Sequence, residues 1–393
     1  MLSRPPKIII RILFSFLAFA SFNVLVSGFS LADLSLTQSL KSVWQKATHV
    51  FAEEVPQKPD SIRGIYLTAS TFASPHGNVL ITKLLEIGGN AVTIDIQAGS
   101  GLLAFRPQDE YLKKINPGSD LLVDLTERVK KLHDQGLYVI ARHVVFSQPY
   151  ITSRKPEWRV KKKQSGYYYQ RQWLDPSLLD VQNYNLKVMR EVADLGFDEI
   201  QFDYIRFPAA DHRYLNYAYD ETKFTRADII LDFLRRAKAI AIEKKIQLSA
   251  DVYGGIVWGN VDWAIVGQNP AEMAKIVDAI YPMTYPSHFG NGYYGHPNTH
   301  NAPYSIVNDS IDLFIKAANG NAEIRPWVQG FPLKVNRFGS WFMEEQINAA
   351  FDAGVNDFMI WSPGNVYTLS WPSFALKPKA PAALAEIPAA VKP

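Results

Sequence analysis

GFDEIQFDYIRFP, residues 196–208, alternates apolar and polar side chains from Glu199 onward. Successive side chains of a strand point to opposite faces, so Ile200 and Phe202 share one face while Glu199, Gln201 and Asp203 share the other. Surrounding helices take the apolar face, and the polar face, ending in Asp203, then points into a closed barrel. The same pattern recurs at Thr93, Asp95 and Gln97, at Ser249 and Asp251, at Arg325, Trp327 and Gln329, and at Asp357, Met359 and Trp361. Around these positions lie eight β-rich runs, at residues 64–68, 91–97, 138–144, 199–205, 247–252, 279–284, 324–330 and 357–361. Amphipathic stretches separate them, among them 119–135, 221–244 and 340–353, with Gly136 and Gly354 placed as helix stops. Such alternation argues for parallel βα units, and eight strands are what a TIM-type barrel closes with. An open doubly wound sheet alternates in the same way, but its Gly-rich phosphate loop after the first strand is missing here. The predicted fold is α/β, a single (β/α)8 TIM-type barrel over residues 62–370.

The flanks read differently. Arg4, Lys7 and Arg11 precede the apolar run Ile12 to Phe22, and small residues follow at Ser27, Gly28, Ser30 and Ala32. That order predicts a secretory signal over residues 1–32, or an uncleaved anchor giving membrane attachment, since the apolar stretch approaches spanning length. Either places the chain outside the cytoplasm: secreted, periplasmic or membrane-anchored. Residues 33–61 read as a spacer, and 371–393, rich in Pro and Ala, as an extended tail. The chain has no cysteine, which excludes disulfides, thiolate metal sites and cysteine nucleophiles. Its 41 basic and 38 acidic residues leave a net charge of +3, too even to mark a nucleic-acid partner, and none is expected.

In such a barrel the reactive groups stand at the C-terminal strand ends, where the βα loops form the mouth. Carboxylates converging there with aromatic side chains suit a glycan: the acids move protons and flat rings cover sugar faces. Asp203 is the leading catalytic candidate. Asp251 ends the next strand, within bridging range of the same glycosidic bond, and is assigned the proton-donor role, with Asp95 and Asp357 in reserve. Burial and a neighbouring carboxylate would raise its pKa as that role needs. The competing reading is structural, with the inward acids neutralised by Arg142, Arg206 and Arg325. Asp95, Arg142, Gln201, Tyr204, Arg206, Tyr285, His288, Trp327, Gln329 and Trp361 are the candidate substrate-binding residues. Arg206 either pairs with a carboxylate such as Asp203 or receives an acidic sugar substituent.

Two loops invite other readings. SHFGNGYYGHPNTHNAPY, residues 287–304, contains His288, His296 and His300, but their spacing matches no familiar zinc motif, so neither metal nor cofactor is expected. RVKKKQSGYYYQRQW, residues 159–173, reads as a hairpin around Gly166, with lysines on one arm and tyrosines on the other, serving as a lid or merely solvated.

Taken together, RGIY (63–66), NAVTIDIQ (90–97), ARHVVF (141–146), GFDEIQFDYIRFP, SADVYG (249–254), IYPMTYPSHF (280–289), RPWVQGF (325–331) and FMIWSPGN (358–365) resemble a bacterial glycoside hydrolase domain family filed as a domain of unknown function. The resemblance spans about Arg63 to Tyr367. It implies a barrel related to retaining sugar-cleaving enzymes, in which the acid ending the fourth strand, here Asp203, serves as nucleophile. Relatives often carry Asp-x-Lys-Asp after the second strand, where this chain reads Asp95-Ile96-Gln97-Ala98. The expected function is hydrolysis of O-glycosidic bonds in a bacterial envelope or extracellular polysaccharide. The alternatives are a non-catalytic polysaccharide-binding barrel, favoured by the altered second-strand loop, and a metal-dependent hydrolase or deacetylase using the histidine loop.

Overall fold

The computed structural model describes residues 58–378, apart from Asp211. Eight parallel strands form the barrel: β1 (Arg63–Leu67), β2 (Ala91–Asp95), β3 (Tyr138–Val144), β4 (Glu199–Asp203), β5 (Gln247–Tyr253), β6 (Ala279–Met283), β7 (Glu323–Ile324 and Trp327–Gln329) and β8 (Phe358–Trp361). Each pairs with its sequence neighbour, and β8 returns to β1 with Gly64 opposite Met359, which closes the ring. The seventh strand is broken where one run was expected. Pro326 has no N–H for the ladder, yet its carbonyl accepts from Met359 N and Arg325 N donates to Ile280 O, so pairing continues past the break.

The expected helices are present, Ser340–Asp352 with its start as expected and two others starting later. Helix α1 (Leu125–Asp134) begins six residues later than the amphipathic pattern, behind Asp124 in a left-handed conformation (φ 54°), and ends before Gly136 (φ 83°). Helix α2 (Arg226–Lys244) begins at a capping box, in which Thr225 and Asp228 exchange side-chain bonds with each other's backbone N–H. Apolar residues on the outer face of the strands pack against this shell: the Phe202 ring lies 5.7 Å from Phe233 of α2. The barrel domain runs further than expected. Trp371–Ala375 form a 3-10 turn whose Phe374 packs on Phe358 at 5.3 Å, so the tail begins after this turn. Residues 1–57 and 379–393, where the signal or anchor, most of the spacer and the rest of the tail were expected, lie outside the described residues. Among the described residues no helix is long and apolar enough to cross a membrane.

Charge fills the base of the barrel. Arg325 is fully buried, and its Nη1 donates to Glu199 Oε2 (2.6 Å) and to Tyr281 Oη (2.8 Å), while its Nη2 reaches Glu323 (2.7 Å). Tyr138 Oη (3.0 Å) and Ser249 Oγ also donate to the Glu199 carboxylate. Removing one partner leaves the other charged and buried, a change that costs about 3–5 kcal/mol. Arg325→Met is therefore expected to shift the urea midpoint down with an unchanged m-value; an unmoved midpoint would show that the network adds nothing to stability. Asp357 belongs to this end as well. It precedes β8 and accepts from Ile62 N (2.7 Å), so it anchors the barrel floor and is no reserve for chemistry at the mouth.

Candidate active site

At the C-terminal end of the strands lies a cavity of about 970 Å³. Arg142, near the end of β3, organises its floor. Its Nε (3.0 Å) and Nη2 donate to Asp203 Oδ2, and its Nη1 donates to Asp95 Oδ1. Burial alone would lower its pKa, but the Asp95 and Asp203 carboxylates outweigh that and hold it well above the ordinary value. The guanidinium lies 4.8 Å from the Trp361 ring, and Trp361 stacks on Tyr66 at 3.9 Å. The second oxygen of Asp203 accepts from Tyr204 N (2.6 Å). Tyr204 has φ 52°, a left-handed conformation that is uncommon for a bulky residue and costs on the order of 1–3 kcal/mol. The strain sits at the residue after Asp203, where the chain turns out of β4.

Asp251, 2 % exposed on β5, has a different environment. Its Oδ1 accepts from Trp327 Nε1 (2.8 Å), and no cation pairs with it among the described residues. Burial first, and then the negative charge of Asp203, push its pKa well above the ordinary carboxylate value, against a weaker pull from Arg142. The cavity therefore brings together, from neighbouring strands, an ion-paired carboxylate and a carboxyl group whose pKa is raised.

Of the residues expected at the site, Asp203, Asp251, Arg142, Tyr204, Arg206, Tyr285, His288, Trp327 and Trp361 line the cavity. Three do not. Asp95 is taken up by Tyr66 Oη and Arg142, and so steadies Arg142 from behind. Gln201 is fully buried one residue pair deeper along β4 than Asp203, too low to reach the cavity, and its side-chain amide has no hydrogen-bond partner. Gln329 ties two loops together, accepting from Ser287 N (3.0 Å) and donating to Phe331 O (2.9 Å) and Leu333 O (3.2 Å). Gln97, in the altered second-strand loop, bonds the backbone of Val144 and likewise does not line the cavity. Sequence reasoning passed over Tyr253, which lines the cavity and follows Ser249 and Asp251 on the same strand face; its alternation was the available signal. The aromatic ring of Tyr293, in the histidine loop, also lines the cavity and had no periodicity to mark it.

The three histidines diverge. His296 Nε2 meets Asp309 at 3.0 Å, His300 Nε2 meets Phe289 O at 2.9 Å, and His288 stands at the rim beside Ser287, its pKa lowered by partial desolvation and then by Lys334. Among the described residues, no three metal-ligating side chains converge. The 159–173 insertion does form a hairpin, with Lys161 opposite Tyr168 and Gly166 at φ 65°, and it extends a short ladder to Asn216. Its tip residue Tyr167 is 76 % exposed and lines no part of the cavity, so no lid is formed here.

A family model covering residues 64–367, about three quarters of the chain, matches this architecture. The chain belongs to the family described as "Putative glycosyl hydrolase domain". No curated protein matches it. Among solved structures, this glycosyl hydrolase domain is similar to the glycoside hydrolase domain of PgaB (BpsB) from Bordetella bronchiseptica, with TM-score 0.58 and 14 % identity over 77 % of this chain and 94 % of that one. It is also similar to the catalytic domain of β-amylase from Paenibacillus polymyxa, with TM-score 0.51 and 12 % identity over 79 % and 95 % of the two chains. A third similar structure is the β-galactosidase of Marinomonas ef1, at TM-score 0.52 and 13 % identity over 76 % and 54 %. At such identities the likeness establishes the barrel, while the family establishes a glycosyl hydrolase.

Proposed function

We propose that this glycosyl hydrolase domain cleaves O-glycosidic bonds of a bacterial envelope or extracellular polysaccharide, with Asp203 as nucleophile or base and Asp251 as proton donor. One observation carries the reading: two carboxyl groups on adjacent strand ends face one cavity in environments that separate their roles. Arg142 clamps Asp203, while burial and the Asp203 charge keep the proton on Asp251. As the bond between the anomeric carbon and the glycosidic oxygen breaks, the Asp251 proton goes to the departing oxygen. Asp203 either attacks the anomeric carbon, to be displaced by a water whose proton goes to the now ionised Asp251, or takes the proton of a water that attacks directly. In both courses the water oxygen ends on the anomeric carbon and the other fragment leaves as an alcohol. Trp327, Trp361 and Tyr285 supply flat surfaces for sugar rings. The substrate is met outside the cytoplasm, in keeping with the basic, apolar and small-residue order of positions 1–32, through which the protein is exported or anchored.

Reaction in H2 18O distinguishes hydrolysis from other cleavage: product fragments should carry one heavy oxygen at the reducing-end anomeric carbon, read by mass spectrometry. Unlabelled reducing ends would contradict the proposal. Activity is expected to be unchanged after exhaustive treatment with EDTA; loss on chelation and recovery with a divalent metal would instead support metal-dependent chemistry.

A further inference from the structure

Four arginines are buried among the described residues: Arg226 donates to the Ala210 and Ile265 carbonyls, and two others are clamped by carboxylates. Arg142 holds Asp95 and Asp203, and Arg325 holds Glu199 and Glu323. Arg206 is 6 % exposed and lines the cavity, yet no carboxylate lies within 4 Å of it among the described residues. Its Nη1 donates to Phe207 O (3.0 Å); Nε and Nη2 make no hydrogen bond to a described residue. Aromatic rings surround the guanidinium instead, with Tyr253 at 4.2 Å, Trp173 at 4.7 Å and Tyr204 at 5.3 Å from its carbon. Trp173, at the base of the hairpin, and Tyr204, in its left-handed turn, thus fix the position of this cation.

An arginine keeps its charge inside a protein, and a buried charge needs a counter-charge. The rings answer part of that need, but they leave the planar donor edge unused. Arg213, from the same loop after β4, lines the cavity as well. Asp95 and Asp203 share the single cation Arg142, and burial raises the pKa of both Asp95 and Asp251, which lessens the negative charge the floor sets against an incoming anion.

We infer that Arg206 forms a subsite for an anionic sugar, its free edge receiving the carboxylate of a uronic acid in the polysaccharide. The inference rests on the glycan reading of the cavity and narrows it from glycans in general to acidic ones. It also gives the hairpin base a use, since Trp173 holds the residue that reads the charge.

The test is equilibrium binding, so that it stands apart from cleavage. Asp203→Asn protein is titrated with uronic-acid polysaccharides and with the same polymers after carboxyl reduction, at low and high NaCl. The acidic polymers are expected to bind at least about ten-fold more tightly than their reduced forms, and high salt should erase most of that difference. Arg206→Gln in the same background should abolish the preference and Arg206→Lys should retain part of it, with folding checked by circular dichroism. If Arg206→Gln does not fold, Arg206→Lys still decides: a preference as strong as with arginine would contradict a fork-specific contact. Equal affinity for acidic and reduced polymers, binding to neutral or sulfated polymers alone, or no binding to any acidic polymer would overturn the inference. A protein that binds acidic polymers selectively but never cleaves them would sink the hydrolase reading and leave this one standing. Cleavage without charge preference would do the reverse.

Discussion

Asp203→Asn is expected to lower kcat/KM by about 10⁴-fold or more, a loss of at least about 5 kcal/mol of transition-state stabilisation. An amide can neither attack an anomeric carbon nor take a proton from water, so both courses of the reaction fail. Binding should survive, because the amide oxygen can still accept from Arg142 in the place of Oδ2, with only the Tyr204 N bond to the other oxygen lost. The signature is therefore a collapse of kcat with little change in the affinity for substrate or product, measured by turnover beside calorimetric titration. A variant that still turns over within ten-fold of the parent, with its fold intact, would remove Asp203 from the chemistry.

Asp251→Asn should cost about 10²–10⁴-fold in kcat for natural glycosides, the range for removing a positioned general acid. Substrates with an activated aryl leaving group need no proton and should be spared, a contrast that a merely structural residue would not produce. The pH profile adds a second reading. Asp251 works as the protonated acid, so parent activity should fall as pH rises through its raised pKa, and that basic limb should vanish in the variant acting on aryl substrates. Stability follows the same sign. A carboxyl whose folded pKa lies above its unfolded value stabilises at low pH and loses that contribution as pH rises through the folded value. Asparagine cannot ionise and can still accept from Trp327 Nε1, so the variant should melt at a higher temperature than the parent in alkaline buffer, with the gap closing toward acid. A parent and variant whose melting temperatures run parallel across pH would show that Asp251 carries no excess proton.

Much of this was legible in the sequence because strand alternation is local. The inward set of β4 and β5 follows from period two alone, and it puts Asp203 and Asp251 in one cavity. Alternation does not reveal height along the barrel. Gln201 and Asp357 share faces with Asp203 and Trp361, yet one lies too deep and the other anchors the floor. Partner choice was hidden for a related reason. The structural reading that every inward acid meets an arginine holds for Glu199 and Asp95, but fails for Asp251, and it fails in the other direction for Arg206. Both exceptions depend on contacts between residues far apart in the chain, such as Trp327 with Asp251 and Trp173 with Arg206. Partners were hidden in the histidine loop too: its three histidines within thirteen residues find separate ones once the loop folds.

The central claim is that Asp203 and Asp251 together hydrolyse a glycosidic bond, and its most direct test is release of reducing ends from a panel of bacterial envelope and extracellular polysaccharides. The purified parent is assayed beside Asp203→Asn and Asp251→Asn, each verified as folded by circular dichroism. The account predicts release by the parent from at least one polymer and its loss in both variants. A parent that binds a panel polymer but releases no ends above the control, or folded variants that cleave as fast as the parent, would contradict it.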